Sequence, residues 1–383
     1  DFTSNGAATT QAGMNSPRGI GYDSGGTRLF VGDEDNNRVL VYDVSIITDG
    51  EDATNVLGQA DFISSGGATT QAGMRYVSGI AYDSGNDMLY VADGSNNVGN
   101  DRVLQYDVSS ISDGQDATKV LGHTDFITSI GSTTQATLLG PMGISFASNL
   151  LYVSDHVNNR IIVFDVTAIT DGEDAVNGAG QIVGGSPIYT KSGTNNGPGA
   201  IGLYNPNDVA VDTTNHRLFV SDNENNRILV FNLNSSDILV DYTADNVLGQ
   251  SDFLSDGGAI TATTLNDPMG LYYDDSISGT DRLFVADAAN ERVLIYDVTS
   301  ISDGESAVNV LGPSDFTSYS TGTTQALFKF SGEYVDITMD TNNSLLFVGD
   351  PGNNRVMVFD VSINDSNCAT PNDGICDGEN ALY

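Results

Sequence analysis

The sequence predicts an all-β protein: a six-bladed β-propeller of four-stranded antiparallel blades, with the ring closed by strands from both termini. Three observations predict it. One strand–turn–strand unit recurs six times, strand-like segments flank every copy on both sides, and the acidic residues are those of turns and not of helices. The unit is Arg28–Val44, RLFVGDEDNNRVLVYDV, and related copies begin at Met88, Leu151, Arg217, Arg282 and Leu346. Their turn-opening aspartates, Asp33, Asp93, Asp155, Asp222, Asp287 and Asp350, are spaced 60, 62, 67, 65 and 63 residues apart. A repeat of this kind outranks local signals when a fold is assigned.

Within the unit, LFV and VLVY are short, β-branched and aromatic, which is the composition of strands. They are apolar at successive positions, so both faces of each strand are expected to be covered. The Asp/Asn/Gly turn between them suits a hairpin, because Asp and Asn bond to local backbone N–H groups and tolerate left-handed conformations. Arg38, Arg102, Arg160, Arg227, Arg292 and Arg355 open the second strand, where a guanidinium is expected to staple the turn to its aspartate. Six of the eleven arginines occupy that one position, which points to a structural role and not a catalytic one.

A third strand lies upstream of each hairpin (SPRGIGYD at 16–23, echoed as VSGIAYD, GPMGISFA, NPNDVAVD, DPMGLYYD and GEYVDITMD). A fourth lies downstream (NVLGQADF at 55–62, echoed as KVLGHTDF, NVLGQSDF and NVLGPSDF). Four strands per unit and six units give one domain over 1–383. Its blades lie near 16–62, 76–126, 140–184, 204–253, 267–316 and 332–383, with residues 1–2 completing the last. Adjacent blades then bury one another's faces. Residues 1–14 match 61–74, and the closing DGENALY matches 49–55, so the chain begins and stops inside one unit. An excerpt of a longer protein is expected on that ground.

The order P-x-G-I-x-x-D followed by L-F/Y-V-x-D-x-x-N-x-R-V/I-x-V-F/Y-D resembles the NHL repeat. The trailing VLGQ-x-DF is similar to long-period NHL repeats of bacterial surface and secreted proteins. The resemblance covers nearly the whole chain and implies the propeller fold, but it leaves activity open, because propellers host unrelated functions.

The net charge is −37, with 43 Asp against 8 Glu. Asp serves turns and Glu favours helices, so the acidity follows the turns. Such a field repels phosphates and anionic lipid, which argues against nucleic acid and direct membrane insertion. No segment is long and apolar enough to span a bilayer as a helix. Cys368 and Cys376 lie eight apart without a nearby histidine, which reads as a local disulfide and hence an oxidising compartment.

Where the repeat departs from itself, the fold does not dictate the residue. The third position of the innermost strand reads Gly19, Gly79, Gly143, Asp208, Gly270 and Asp336. Glycine fits strands crowded at the axis. The two carboxylates either hold a cation such as calcium or bond to backbone. The loop 177–204 replaces the usual VLGQ-x-DF and carries Tyr189, Lys191 and Tyr204, a candidate partner-binding loop. The second blade lengthens its turn and adds Asp101, either a further part of a partner-binding patch or an idle insertion. In the sixth blade, Asp373, Asp377 and Glu379 resemble part of an acidic calcium loop.

The three histidines, His123, His156 and His216, occupy non-equivalent positions, unlike the converging zinc ligands of NHL-like amidating lyases. No GxSxG elbow, P-loop or Cys–His pair is present. The sequence thus predicts an extracellular or cell-surface binding or scaffold module that meets a protein or glycan partner on its loop-bearing face. The alternative is a metal-dependent hydrolase or lyase, of the kind of the calcium-dependent six-bladed lactonases, that uses a cation at Asp208 and Asp336.

Overall fold

The structure, a computed structural model, describes residues 6–23, 25–95, 98–183, 186–187, 189, 198–362, 375 and 377–383. Its described regular elements are strands and single 3-10 turns. Five blades are four-stranded sheets in simple sequential order. In the first blade the strands are Pro17–Asp23, Arg28–Asp33, Arg38–Asp43 and Asn55–Leu57. The inner strands of the other blades are Val77–Asp83, Pro141–Ala147, Pro206–Asp212, Pro268–Asp274 and Ile337–Asp340. The sixth blade adds Leu345–Asp350 and Arg355–Asp360. At its outer edge Leu382 and Tyr383 bond to Val358 at 2.7 and 3.0 Å, where the other blades have a fourth strand. The second blade extends its hairpin into Met88–Ser95 and Val98–Asp107.

The core lies between blades. Phe30, Val39, Val41 and Leu57 of blade one pack against Leu89, Val91, Leu104 and Tyr106 of blade two, and the same pattern recurs around the ring. Burying such side chains contributes about 1.5–3 kcal/mol each. Stacked rings repeat between neighbours: Phe30–Tyr82, Tyr90–Phe146 and Phe219–Tyr273 at 5.9–6.0 Å. Tyr22 and Phe347 make the same contact at 5.7 Å where blade six meets blade one. The ring therefore closes with its ordinary interblade packing.

In five blades the turn between the paired Asp and Arg is a four-residue connection built on a 3-10 turn. Glu34–Asn36, His156–Asn158, Asn223–Asn225, Ala288–Asn290 and Pro351–Asn353 form 3-10 turns, each followed by a residue near φ +54°. Asn fills that left-handed position in four of the five, consistent with its tolerance of it. Strand direction puts these turns and the loops between blades on one face of the ring.

Candidate functional site

The staples come first, because they position that face. Arg38 donates from Nε to Asp33 Oδ2 at 2.6 Å, and its other nitrogens reach the carbonyls of Phe62, Thr10 and Gly13. Asp33 also accepts from Asn15 N–H and Asn36 Nδ2. The Nε–Oδ2 pair recurs at 2.6–2.7 Å in Arg102–Asp93, Arg160–Asp155, Arg227–Asp222, Arg292–Asp287 and Arg355–Asp350. In the first five blades the staple thus binds a turn to the loop arriving from the previous blade and the loop leaving its own. Burial pushes these carboxyls up and the guanidinium pulls them back. The aspartates are consumed by the fold.

At the axis the glycines sit where strands nearly touch. A Cβ on Gly19 would lie 2.4 Å from Ser78 O, one on Gly79 2.4 Å from Met142 O, and one on Gly270 2.3 Å from Val335 O. Asp208 and Asp336 interrupt this tier. Asp208 Oδ2 accepts Leu271 N–H at 2.8 Å, from blade four to blade five. Asp336 Oδ2 accepts Ile20 N–H at 2.9 Å, from blade six to blade one, and its Oδ1 accepts Ile337 N–H at 2.8 Å. Asp208 Oδ1 and the Tyr334 hydroxyl both crowd the space over Gly143. Beyond this tier the channel widens into a cavity of about 300 Å³ lined by Asp208, Asp336 and the aromatic rings of Tyr22, Tyr82, Phe146 and Tyr272.

Three of the four carboxylate oxygens therefore already accept backbone N–H groups. Among the described residues no group of three or more His, Cys, Asp or Glu side chains converges. Calcium takes six to eight oxygens, and this donor set does not supply them; the pair fits the role of a backbone latch.

Burial pushes the Asp336 carboxyl up to about 7. Burial, with the charge of Asp336 beside it, pushes Asp208 well above the usual carboxylate range. With Asp336 raised from 3.8 to about 7, the folded chain keeps a proton in that interval that the unfolded chain has released. Stability from this group is full below the lower value and is lost as pH rises through the upper one. Thermal melts of the wild type and Asp336→Asn are expected to show the stability difference shifting against the wild type from about pH 4 to 7, by up to about 1.4 kcal/mol per pH unit, then levelling. A difference that does not change with pH contradicts the assignment.

Beside the tier, at the junction of blades six and one, Arg18 pairs with Glu34 at 2.7 Å and with Glu333. Burial pushes Glu34 up to about 7 against the pull of Arg18.

The remaining residues singled out by sequence are dispersed. Asp377 Oδ1 accepts Val310 N–H at 3.0 Å, as Asp113, Asp171 and Asp303 do for Val56, Val120 and Val247. It is thus one of a repeated set of turn carboxylates. Glu379 is half-buried in the same turn. Asp101 is buried in the left-handed position that Asn37 fills in blade one, and it accepts Gly140 N–H at 2.8 Å and Gly131 N–H at 3.0 Å. Tyr189 is half-buried and gives its carbonyl to Arg160 at 2.7 Å; Tyr204 is exposed, with its N–H on Asp222. Lys191, Asp373, Cys368 and Cys376 lie outside the described residues. His123 meets Asn100 O, His156 meets Pro206 O, and His216 meets Asp237 Oδ1; they do not gather.

The loops of the turn-bearing face carry a feature that composition alone did not reveal. Ile63, Ile127 and Leu254, each the residue after an Asp-Phe pair, are 77, 75 and 77% exposed. Ile130, Ile201, Tyr204 and Tyr319 are exposed on the same set of loops. Each of the five loops joining consecutive blades thus presents a large apolar side chain.

Residues 203–231 match the family model of the NHL repeat, and the unit they contain occurs in every blade. The chain is a six-bladed β-propeller whose repeated unit resembles the NHL repeat. It is similar to the protein SUPPRESSOR OF QUENCHING 1, chloroplastic, of Arabidopsis thaliana, at 24% identity over 77% of this chain. The matched stretch spans about a quarter, 26%, of that relative's length. Among solved structures it is similar to a chain in the crystal structure of a nidogen/laminin complex, with a TM-score of 0.43 and 13% identity over 78% of this chain and 81% of that one.

Sequence reasoning found the staples, the glycine tier and the acid pair of this propeller, and missed Arg18, Glu333 and Tyr334. No repeat marks them: Arg18 and Glu333 pair where the last blade meets the first, and Tyr334 reaches across the axis to Asp208 and the space over Gly143.

Proposed function

We propose that this NHL propeller is a binding module, working outside the cell, that presents its loop-bearing face to a protein partner. The NHL propeller is a protein-interaction scaffold, and one observation carries the finer reading. Large apolar side chains stand exposed on all five interblade loops of one face, while the turns beneath them are held rigid by buried ion pairs. Apolar groups presented on a fixed polar frame are the composition of an interaction surface. The net charge of −37 favours a partner with a basic or neutral rim. The disulfide expected from sequence between Cys368 and Cys376, and the acidity of the chain, support an extracellular placement.

The metal-dependent hydrolase or lyase reading has the channel cavity beside Asp208 and Asp336 in its favour. The use of those carboxylates as backbone acceptors weighs against it.

The test immobilises the wild type, the variant Ile63→Asp/Ile127→Asp/Leu254→Asp, and the opposite-face variant Ile46→Asp/Val240→Asp. Each is probed against the secreted proteins of the source organism and against a glycan array. The expected result is a protein ligand retained by wild type and opposite-face variant and lost, by tenfold or more (on the order of 1.4 kcal/mol), by the loop-face variant. Retention by the loop-face variant, or a glycan ligand alone, overturns the reading.

A further inference from the structure

The axial cavity beyond the acid pair is a second binding feature, on the side of the ring away from the loop face. Its lining comes from the third to sixth positions of the inner strands, such as residues 20–22 and 208–211. Those strands start at the turns, where Pro17 pairs with Asp33, and end on the opposite face, where Asp23 pairs with Arg28. Toward the turns the axis is closed. The glycine tier leaves no room for a Cβ, and Asp208 and Tyr334 fill the space over Gly143. The cavity is therefore a cup with its floor at Asp208 and Asp336. The fifth strand position makes the room: it reads Gly21, Ala81, Ser145, Ala210, Tyr272 and Thr338, so only Tyr272 is large. At about 300 Å³, the cup reaches the lower bound of small-molecule sites.

The cup offers charge of one sign. Its lining holds the acids Asp208 and Asp336 and no lysine, arginine or histidine. The seventh strand position, just beyond the lining, is Asp23, Asp83, Asp212, Asp274 and Asp340 in five of the blades. Arg28, Arg217 and Arg282 pair with Asp23, Asp212 and Asp274. Asp83 and Asp340 instead accept amide N–H groups, from Gly85 and Asn86 and from Asn342 and Asn343, which leaves their charge in place. A cleft lined by one sign of charge concentrates the opposite sign. The walls add the rings of Tyr22, Tyr82, Phe146, Tyr272 and Tyr273, which favour a cation with an organic body. We infer that the cup binds a small organic primary ammonium, its charged end on Asp208 and Asp336 and its apolar body among the rings. Calcium fails there for want of oxygens. An ammonium needs only three acceptors, and a carboxylate oxygen that takes one N–H keeps a second lone pair. A bound cation also offsets the burial that holds both carboxyls above their ordinary range.

The test titrates the whole chain with benzylammonium chloride, in about 0.15 M salt to screen the exposed carboxylates. It follows the amide resonances of Leu271 and Ile20, which bond Asp208 and Asp336. The expected result is a saturable shift of both. Benzyl alcohol, which has the same shape without the charge, should bind at least about tenfold more weakly, and benzoate should not bind. Ser145→Leu fills the cup without touching either acid, and should keep the melting curve and abolish the shifts. Asp208→Asn keeps an acceptor for Leu271 N–H and should weaken binding about tenfold. Unmoved Leu271 and Ile20 resonances, equal binding of benzyl alcohol, or unchanged binding by Asp208→Asn overturns the proposal. So do shifts that survive in Ser145→Leu, which would place the amine on the acidic surface.

Discussion

Replacing Arg102 by methionine is expected to destabilise the protein by about 3–5 kcal/mol, the usual loss when one partner of a buried ion pair is removed. The guanidinium is fully buried, bonds Asp93 at 2.7 Å, and reaches the carbonyls of Phe126, Thr70 and Gly73 at 2.6–2.9 Å. Methionine keeps most of the volume but leaves a buried carboxylate uncompensated and three carbonyls without their donor. The melting temperature should drop by about 5–10 °C. Arg355→Met is the internal comparison. Its side chain is 13% exposed, so water replaces part of what is lost and the drop should be smaller. Equal drops would mean that burial does not set the strength of the staples.

Gly79→Ala is expected to cost about 1–3 kcal/mol or more, as overpacking does where nothing can move aside. The new methyl would stand 2.4 Å from Met142 O and 3.0 Å from Gly143 Cα and Ile144 N, all backbone of the next inner strand. Accommodating it requires two blades to separate at the axis. Gly66→Ala, in an interblade loop with nothing within 4 Å, should change stability by less than about 0.5 kcal/mol. A Gly79→Ala protein that melts with the wild type would show that the inner strands are not in contact.

Repetition made most of the fold legible. Six copies of an Asp and an Arg at fixed offset leave little but a turn staple, and a glycine repeated at one strand position implies crowding there. Departures from the repeat were legible as places but not as roles. Asp208 and Asp336 stood out against glycine, yet their bonds run to Leu271 and Ile20, 63 and 316 residues away, and no local pattern encodes those distances. Asp101 read as an addition because the lengthened turn of blade two shifts its spacing; in space it takes the place of Asn37. Asp377, set among other carboxylates, read as a calcium ligand, though it repeats the strand-capping bond of Asp113. The exposed Ile63, Ile127 and Leu254 had a signal available, an apolar residue recurring after Asp-Phe in a polar loop. The strand-like reading of the neighbouring residues masked it.

A closed ring, with each blade covering the next, is the claim on which the rest depends, and amide exchange at Ile20 tests it most directly. That N–H reaches across the junction of the last and first blades to Asp336 at 2.9 Å, just as Leu271 N–H reaches Asp208 at 2.8 Å inside the ring. Closure predicts that both amides exchange slowly and at rates of the same order. Exchange of Ile20 at the rate of an unprotected amide, with Leu271 still slow, would contradict it.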